Sequence, residues 1–294
     1  MVMVGNPPQT SRTSTAGNAE GKTGTLALDD LGVLTFDGPD SASFLQGYLT
    51  IDLDALGSEP AFTAMCNIKG RTVLTGYAWR EGERVTLIVH QSLCALALSF
   101  LAPYLAFSKT QASGATAHCT LIGALGLNLP VPAHILDAER QIMVLHGEDI
   151  NQAQGLLAAG PTLDASDWRN TTIAKREVWL ETATSGFFLP QMLALDEIGA
   201  VSFTKGCYLG QEIVARAQHR GEVKRQLKTL AWTNEEPHIG AELRGVNGHA
   251  AGVVVATAAE SANEGAALAV MGRHAIEPFT IKSSASVLRT TEAS

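Results

Sequence analysis

The sequence predicts an α+β protein: two units of antiparallel sheet and helix, then a small C-terminal β-barrel. Three observations carry that expectation. With 294 residues, the chain is long enough for two or three cores. Between Thr25 and Phe107, runs of strand period alternate with runs of helix period. From about Gln226 to Leu288 the helical period is gone, and short apolar runs follow one another between Gly, Asn and Pro.

The elements follow in order. "LGVLTFDG" reads as a strand closed by a turn. "PDSASFLQGYLTIDL" reads as a short helix, with Pro39 fitted to a first turn and Phe44, Leu45, Tyr48 and Leu49 on one side. "AFTAMCNIKGRTVLTGYAWR" holds two strands joined at Lys69-Gly70, and "EGERVTLIVH" adds a turn and a third strand. In "QSLCALALSFLAPYLAF", Leu93, Leu96, Phe100 and Tyr104 recur in steps of three or four, which predicts a helix buried along that stripe. A sheet with helices on one side accommodates this order. Further on, "HCTLIGALGL" and "RQIMVLHG" read as strands. "EDINQAQGLLAAG" reads as a helix closed by Gly160, and "DWRNTTIAKREVWLE" as another. No internal repeat is legible. "LKTLAW", "AELRG", "AAGVVVATAA", "AALAVM" and "EPFTIKSS" supply the last strands. So many short strands favour a barrel, because closure removes exposed edges. The expected divisions are a disordered tail over 1–23, a first unit over 24–110, a second over 111–225 and the barrel over 226–294.

Totals exclude several classes. The net charge is −8, so nucleic acid is not expected as a stable partner. One stretch departs from that balance. Lys205 to Lys228 carries Lys205, Arg216, Arg220, Lys224, Arg225 and Lys228 against Glu212 and Glu222, a local +4 that leaves −12 elsewhere. Such runs are often only solvated faces. Cys66, Cys94, Cys119 and Cys207 show no metal-ligand spacing, and eight histidines form no paired set, so no resident metal is expected. Scattered thiols fit a reducing compartment, and a cytoplasmic monomer is the expectation. The first residues show no secretory h-region, although their Arg, Lys and Ser/Thr content leaves a transit-peptide reading open. "CALALSFLAPYLAF" is too short to span a bilayer, so no membrane partner is expected. "AGNAEGKT" at Ala16 to Thr23 fits a loose phosphate-loop pattern. A working loop needs a strand before it and a helix after it; a polar, Pro-rich run precedes and a strand-like run follows, so the match is discounted.

The densest chemistry lies in "SFTKGCYLGQEIVAR", Ser202 to Arg216. "GQEIVARAQHR" suits a helix start, with Gly210 free to take an unusual turn and Glu212 near the positive end of the helix dipole. Cys207 then lies just ahead of that end and next to Lys205 in the chain, two features that favour a thiolate. Tyr208 offers a ring and a hydroxyl. The plain alternatives are a small buried cysteine, capping by Gln211 and Glu212, and a surface ion pair for Arg216. Cys66, Cys94 and Cys119 each lie in or beside an apolar run and are expected to be buried.

Longer context is more specific. "GFFLPQMLALDEIGAVSFTKGCYLGQEIVARAQHRGEVKRQL" resembles the signature of the YgfZ family of folate-binding proteins, relatives of the glycine-cleavage T-protein, an aminomethyltransferase. The family pattern Lys-Gly-Cys-[Tyr/Phe]-x-Gly-Gln-Glu is met by Lys205, Gly206, Cys207, Tyr208, Gly210, Gln211 and Glu212. Pro190, Gln191, Met192, Leu195 and Asp196 before it, and Val214, Ala215, Arg216, Gly221, Lys224 and Arg225 after it, fit as well. So do "GPDSASFLQGYLTIDL" and "CNIKGR". The resemblance covers nearly all of the chain beyond residue 24. It implies a T-protein-like fold around a central cavity, tetrahydrofolate or a related reduced folate as cofactor, and a role in assembling or repairing iron–sulfur enzymes, with links to tRNA modification. Cys207 would carry that role. Iron–sulfur client proteins would be the partners.

One departure separates this chain from the T-proteins. They carry an acid at the end of Asn-x-x-Gly-Gly-x-x-Asp; in "NIKGRTVLTG" Leu74 stands there, beside Thr75. Neither side chain can do a carboxylate's proton chemistry. Glycine-cleavage activity is therefore not expected, and whether the protein is an enzyme at all is left open by its residues. Arg71 adds a cation suited to a folate glutamate tail. The expected site comprises Cys207 and Lys205 for chemistry, and Tyr208, Gln211, Glu212, Arg216, Arg71, Asn67, Phe188 and Met192 for the folate, with Trp79 as a further stacking candidate. Two alternatives stand beside this: a folate-dependent aminomethyl- or methyltransferase using Glu212 or Asp196, and a non-enzymatic module whose basic stretch docks an acidic partner or a tRNA backbone.

Overall fold

The computed structural model describes residues 22–114, 119–130, 132–149, 155–158, 160–220, 223–282 and 284–291. The expected tail and the phosphate-loop look-alike, apart from Lys22 and Thr23, lie outside the described residues. The chain opens with β1 (Gly24–Ala27), β2 (Leu31–Asp37) and α1 (Ser41–Gln46), then β3 (Ala61–Cys66), β4 (Thr72–Glu81), β5 (Arg84–His90) and α2 (Cys94–Leu105). β6 (Gln111–Gly114), β7 (Cys119–Leu125), β8 (His134–Ile135), β9 (Arg140–His146) and α3 (Ala165–Ala174) follow. After α4 (Gln211–Arg220) come β10 (Arg225–Thr233), β11 (Glu242–Arg244), β12 (Ala250–Ser261), β13 (Glu264–Gly272), β14 (Phe279–Ile281) and β15 (Val287–Thr290).

These strands form a five-stranded sheet in the order β3-β4-β5-β2-β6, a four-stranded sheet in the order β1-β7-β9-β8, and a closed barrel of β10-β13-β12-β11-β14-β15. Pairing between the strands is antiparallel in both sheets and in the barrel. The α+β class and the barrel stand as the sequence predicts. The two sheets, however, exchange edge strands across the expected 110/111 division. β1 pairs with β7 in the second sheet, and β6 pairs with β2 in the first. An edge strand goes where its ladder partner and its apolar face are satisfied, and chain order does not fix that.

The first sheet is covered on both faces, which is why β2, β4 and β5 read as near-continuous apolar runs. Leu34, Phe36, Leu87 and Val89 face α1 and α2, while Val33, Trp79 and Ile88 pack with Leu121, Leu125, Ile142 and Trp168 of the second unit. On α2 the buried residues are Ala97 and Leu101; Leu96 and Phe100 are half-buried and Tyr104 is exposed. The burial stripe is thus turned by one residue from the expected one, with the small Ala97 on the side toward the core and the larger side chains flanking it. The helix read over "EDINQAQGLLAAG" is helical at 155–158; residues 150–154 and 159 lie outside the described residues. The helix expected through Glu181 stops at Ala174 instead. Arg176 takes a positive φ of 59°, and the chain then runs without helix or strand from residue 177 to 181. Val178 and Leu180 both bond the Thr75 hydroxyl there, at 2.6 and 2.8 Å.

Candidate functional site

The cysteine loop is stitched to the segment that follows α1. The Ser202 amide donates to the Thr50 carbonyl at 2.8 Å, and the Leu209 amide to the Gly47 carbonyl at 2.9 Å. Between them Lys205 turns inward. Its ammonium donates to the carbonyls of Gln46, Leu49 and Ile51 at 2.8, 2.8 and 2.6 Å, and lies 5.4 Å from the centre of the Tyr208 ring. Those three contacts take up the donor capacity of an ammonium. Lys205 therefore anchors the loop; its sequence neighbour Cys207 does not appear among its partners. Burial lowers the Lys205 pKa to about 8, against the opposing pull of Asp52 and Asp54.

Two glycines complete the frame. Gly210 has a φ of +83°, and a Cβ there would lie 2.4 Å from the Asn67 carbonyl oxygen. A Cβ on Gly70, at φ +66°, would lie 2.9 Å from Ile213 Cβ. The start of α4 thus sits directly on the β3–β4 turn, which explains why both motifs need glycine. Asn67 builds that turn: its Oδ1 accepts from the amides of Lys69 and Arg71 at 2.9 and 3.1 Å.

Cys207 is exposed and opens onto a groove of ≈ 500 Å³ that also includes Ile68, Tyr208, Gln211, Glu212 and Ile213. Glu212 pairs across one helical turn with Arg216 at 2.6 Å, on the exposed side of α4. The Tyr208 side chain is buried, its hydroxyl has no partner among the described residues, and burial raises its pKa. Arg71 is spent on the Phe187 carbonyl at 3.0 Å. Phe188 and Trp79 are core residues, and the Trp79 ring meets His134 at 4.3 Å. Met192 packs against that core. Of the other thiols, Cys66 is buried, and burial pushes it up to about 12. Cys94 and Cys119 are half-exposed, which corrects the expectation that both are buried.

A second hollow, of ≈ 200 Å³, lies at the junction of all three units. The first sheet gives it Leu31 and His90, with Asp30 beside them. α3 gives Trp168, Arg169 and Thr172, the irregular segment after it gives Glu177, Trp179 and Glu181, and the barrel side gives Ile239, Ala256 and Thr257. Two polar atoms here, Trp179 Nε1 and Thr257 Oγ1, are buried and have no hydrogen-bond partner among the described residues. Glu181 stands 3.7 Å from His90, and Arg169 3.7 Å from Asp30. None of the expected site residues lines this cavity; thiol and cavity are separate places. The signal that points to it is "DWRNTTIAKREVWLE", which places two of the chain's four tryptophans among charged residues. Read as a plain helix, that run hides the cavity.

Beside the cavity is a buried knot. Arg140, on β9, donates to both oxygens of Glu177 at 2.8 and 2.6 Å and to Asp137 at 2.7 Å. The Tyr77 hydroxyl of β4 donates to Glu177 at 2.6 Å. The knot joins the first sheet, the second sheet and the irregular segment after α3. Burial alone would lower the Arg140 pKa, but the bond to Glu177 and the charges of Glu177 and Asp137 raise it. Where T-proteins carry their acid, Leu74 is fully buried in the core. Among the described residues no three His, Cys, Asp or Glu side chains gather as a metal site, and no helix is long and apolar enough to cross a membrane.

Comparison places this architecture. The chain superposes on the glycine cleavage system aminomethyltransferase T of Bartonella henselae with a TM-score of 0.70, over 92% of this chain and 85% of that one, at 14% identity. Stacked sheets and a barrel around a shared cavity are therefore the fold of an aminomethyltransferase T-like protein. No family model matches the chain. Its sequence is 32% identical over 261 residues to the tRNA-modifying protein YgfZ of Pectobacterium carotovorum subsp. carotovorum (strain PC1), covering 79% of this chain and 78% of that protein. It is 32% identical over 232 residues to the protein of that name from Yersinia pseudotuberculosis serotype O:1b (strain IP 31758), covering 70% of each. The chain belongs to the YgfZ family.

Proposed function

We propose that this protein binds a reduced folate, tetrahydrofolate or a close derivative, in the three-unit cavity. We further propose that it uses Cys207 at a separate surface groove to support iron–sulfur enzymes, including those of tRNA modification. One observation carries the first half: Trp179 and Thr257, whose buried Nε1 and Oγ1 have no partner among the described residues, both line one cavity. A buried polar atom without a partner is costly, so a ligand that bonds it gains affinity. At ≈ 200 Å³ the cavity is smaller than the roughly 300–1,000 Å³ usual for a whole drug-sized ligand. It suits the bicyclic head of a folate, with the tail outside. Trp168 and Trp179 would flank the ring, Glu181 would accept from its amino group and ring N–H, and Arg169 would meet a tail carboxylate. A bound folate would supply a one-carbon carrier; the residues here bind and orient it. The relatives' name supports the link to tRNA modification.

Cys207 offers one thiol. Its thiolate can attack the outer sulfur of a persulfide R–S–SH, forming Cys207–S–SH as the S–S bond breaks and the donor leaves as the thiol R–SH; or it can give one ligand to a cluster carried as cargo, whose remaining ligands must come from elsewhere. The aminomethyltransferase alternative has less support. Leu74 replaces the acid, and neither Glu212 nor Asp196 lines the cavity.

Titration of the whole protein with tetrahydrofolate, followed by tryptophan fluorescence, tests the binding half. A saturable change is expected, with Thr257→Val weakening affinity about five- to tenfold for one lost hydrogen bond. No saturable signal at high micromolar folate ends the reading. Cys207→Ser should bind folate as the wild type does, yet fail to restore iron–sulfur enzyme activity in cells lacking the protein. Equal rescue removes the thiol from the function.

A further inference from the structure

One end of the barrel carries positive charge that the functional reading leaves unused. A groove of ≈ 580 Å³ lies there between three segments: Lys224 ahead of β10, the β11–β12 connection with Gly245, Asn247 and His249, and the stretch from Gly272 to Ile276. Its polar side chains are Lys224, Asn247, His249, Arg273 and His274, and no carboxylate lines it among the described residues. On a chain of net charge −8, that is a local reversal of field.

The walls are held by backbone contacts. The Arg273 amide donates to the Lys224 carbonyl at 3.4 Å, and the Gly245 amide to the His249 carbonyl at 3.1 Å. Asn247 Oδ1 accepts from the His249 amide at 3.1 Å. A Cβ on Gly245 would lie 2.9 Å from the Ile276 carbonyl oxygen, so glycine there lets the two loops meet. The basic side chains thus start from a fixed frame, while Lys224, His249, Arg273 and His274 are exposed.

We propose that this groove binds the phosphate backbone of a nucleic acid strand. Exposed cations hold a lone phosphate weakly, because water and salt compete. A row of donors along an open groove instead suits a ligand that repeats its phosphates. Lys224 and Arg273 supply charge; His249, His274 and Asn247 supply N–H donors. The cations line a concavity, which a strand can enter and a flat membrane cannot. Val246 and Ile276, 63% and 60% exposed beside it, offer apolar surface to unstacked bases. In the chain, α4, about 15 Å long, lies between Cys207 and Lys224.

Fluorescence anisotropy of a labelled single-stranded RNA, with the full chain and a salt series, tests this. Two phosphate contacts predict a slope of about −1.4 in log K against log salt, a loss of about sevenfold between about 50 and 200 mM. Lys224→Gln or Arg273→Gln should each flatten the slope to about −0.7. Asn247→Asp keeps an acceptor for the His249 amide but adds a negative charge, and should weaken binding with both cations in place. Lys109→Gln, on the first unit, removes the same charge and should change nothing. The proposal is overturned by no anisotropy change at the lowest salt, or by equal losses in Lys109→Gln and Lys224→Gln. Displacement by inorganic phosphate at matched phosphate concentration, or binding to phosphatidylserine vesicles in place of RNA, overturns it equally.

Discussion

Arg140 and Lys205 are both buried cations, and the fold satisfies them by opposite means. Arg140 meets two carboxylates, Glu177 and Asp137, and its pKa is raised. Lys205 meets carbonyl oxygens, and its pKa falls to about 8. Carbonyl dipoles solvate an ammonium, but they do not cancel its charge, so desolvation prevails. The consequence is a division of labour. The Arg140 knot is a permanent joint between units beside the cavity. Lys205 is a titratable peg under the cysteine loop.

Breaking the knot should cost most. Glu177→Gln leaves Arg140 buried with half its compensation, and urea unfolding should show a loss of about 3–5 kcal/mol. A loss below about 1 kcal/mol would mean the knot carries no net pairing. Gly210→Ala attacks the other region through its backbone. It forces a Cβ into a positive-φ site and against Asn67, for a loss of about 2–4 kcal/mol in the same assay. A smaller loss, under about 1 kcal/mol, would show that α4 can lift off the β3–β4 turn.

Lys205→Met should cost about 1–2 kcal/mol at neutral pH, because the lost hydrogen bonds are partly offset by the removed desolvation of the charge. Its pH signature separates it from the knot. The folded pKa of about 8 lies below the unfolded 10.5. Between those values the unfolded chain holds the proton more tightly, so wild-type stability rises with pH through that window. Below about 8 both states are charged, and the contribution is flat. The stability difference between wild type and Lys205→Met should therefore grow from about pH 8 to 10.5, as read by denaturation at stepped pH. A difference that stays constant refutes the titratable peg. Arg216→Gln should have the smallest effect, under about 0.5 kcal/mol, since its pair with Glu212 is exposed. A larger loss would assign that pair a structural part in the loop.

Legibility followed sequence locality. The β3–β4 hairpin, the start of α4 and the barrel strands were readable because turn glycines and strand period are local signals. The glycine pair was visible as two motifs, although nothing in the letters said that Gly70 and Gly210 touch. Lys205 misled for the same reason. It stands two residues from Cys207, yet its side chain turns toward carbonyls more than 150 positions away in the chain. Cavity residues were missed because Trp168, Glu181 and Thr257 come from separate segments, and the run holding both tryptophans also fits a helix.

By itself the sequence determined the class of fold, the barrel, the glycine-framed cysteine loop and the family resemblance, all of which rest on short-range pattern. The tertiary structure decided which strands the sheets exchange, which cations are paired, and that the thiol and the cavity are separate places. Each of those depends on desolvation and contact between distant segments, and such quantities have no value until the chain has closed around them.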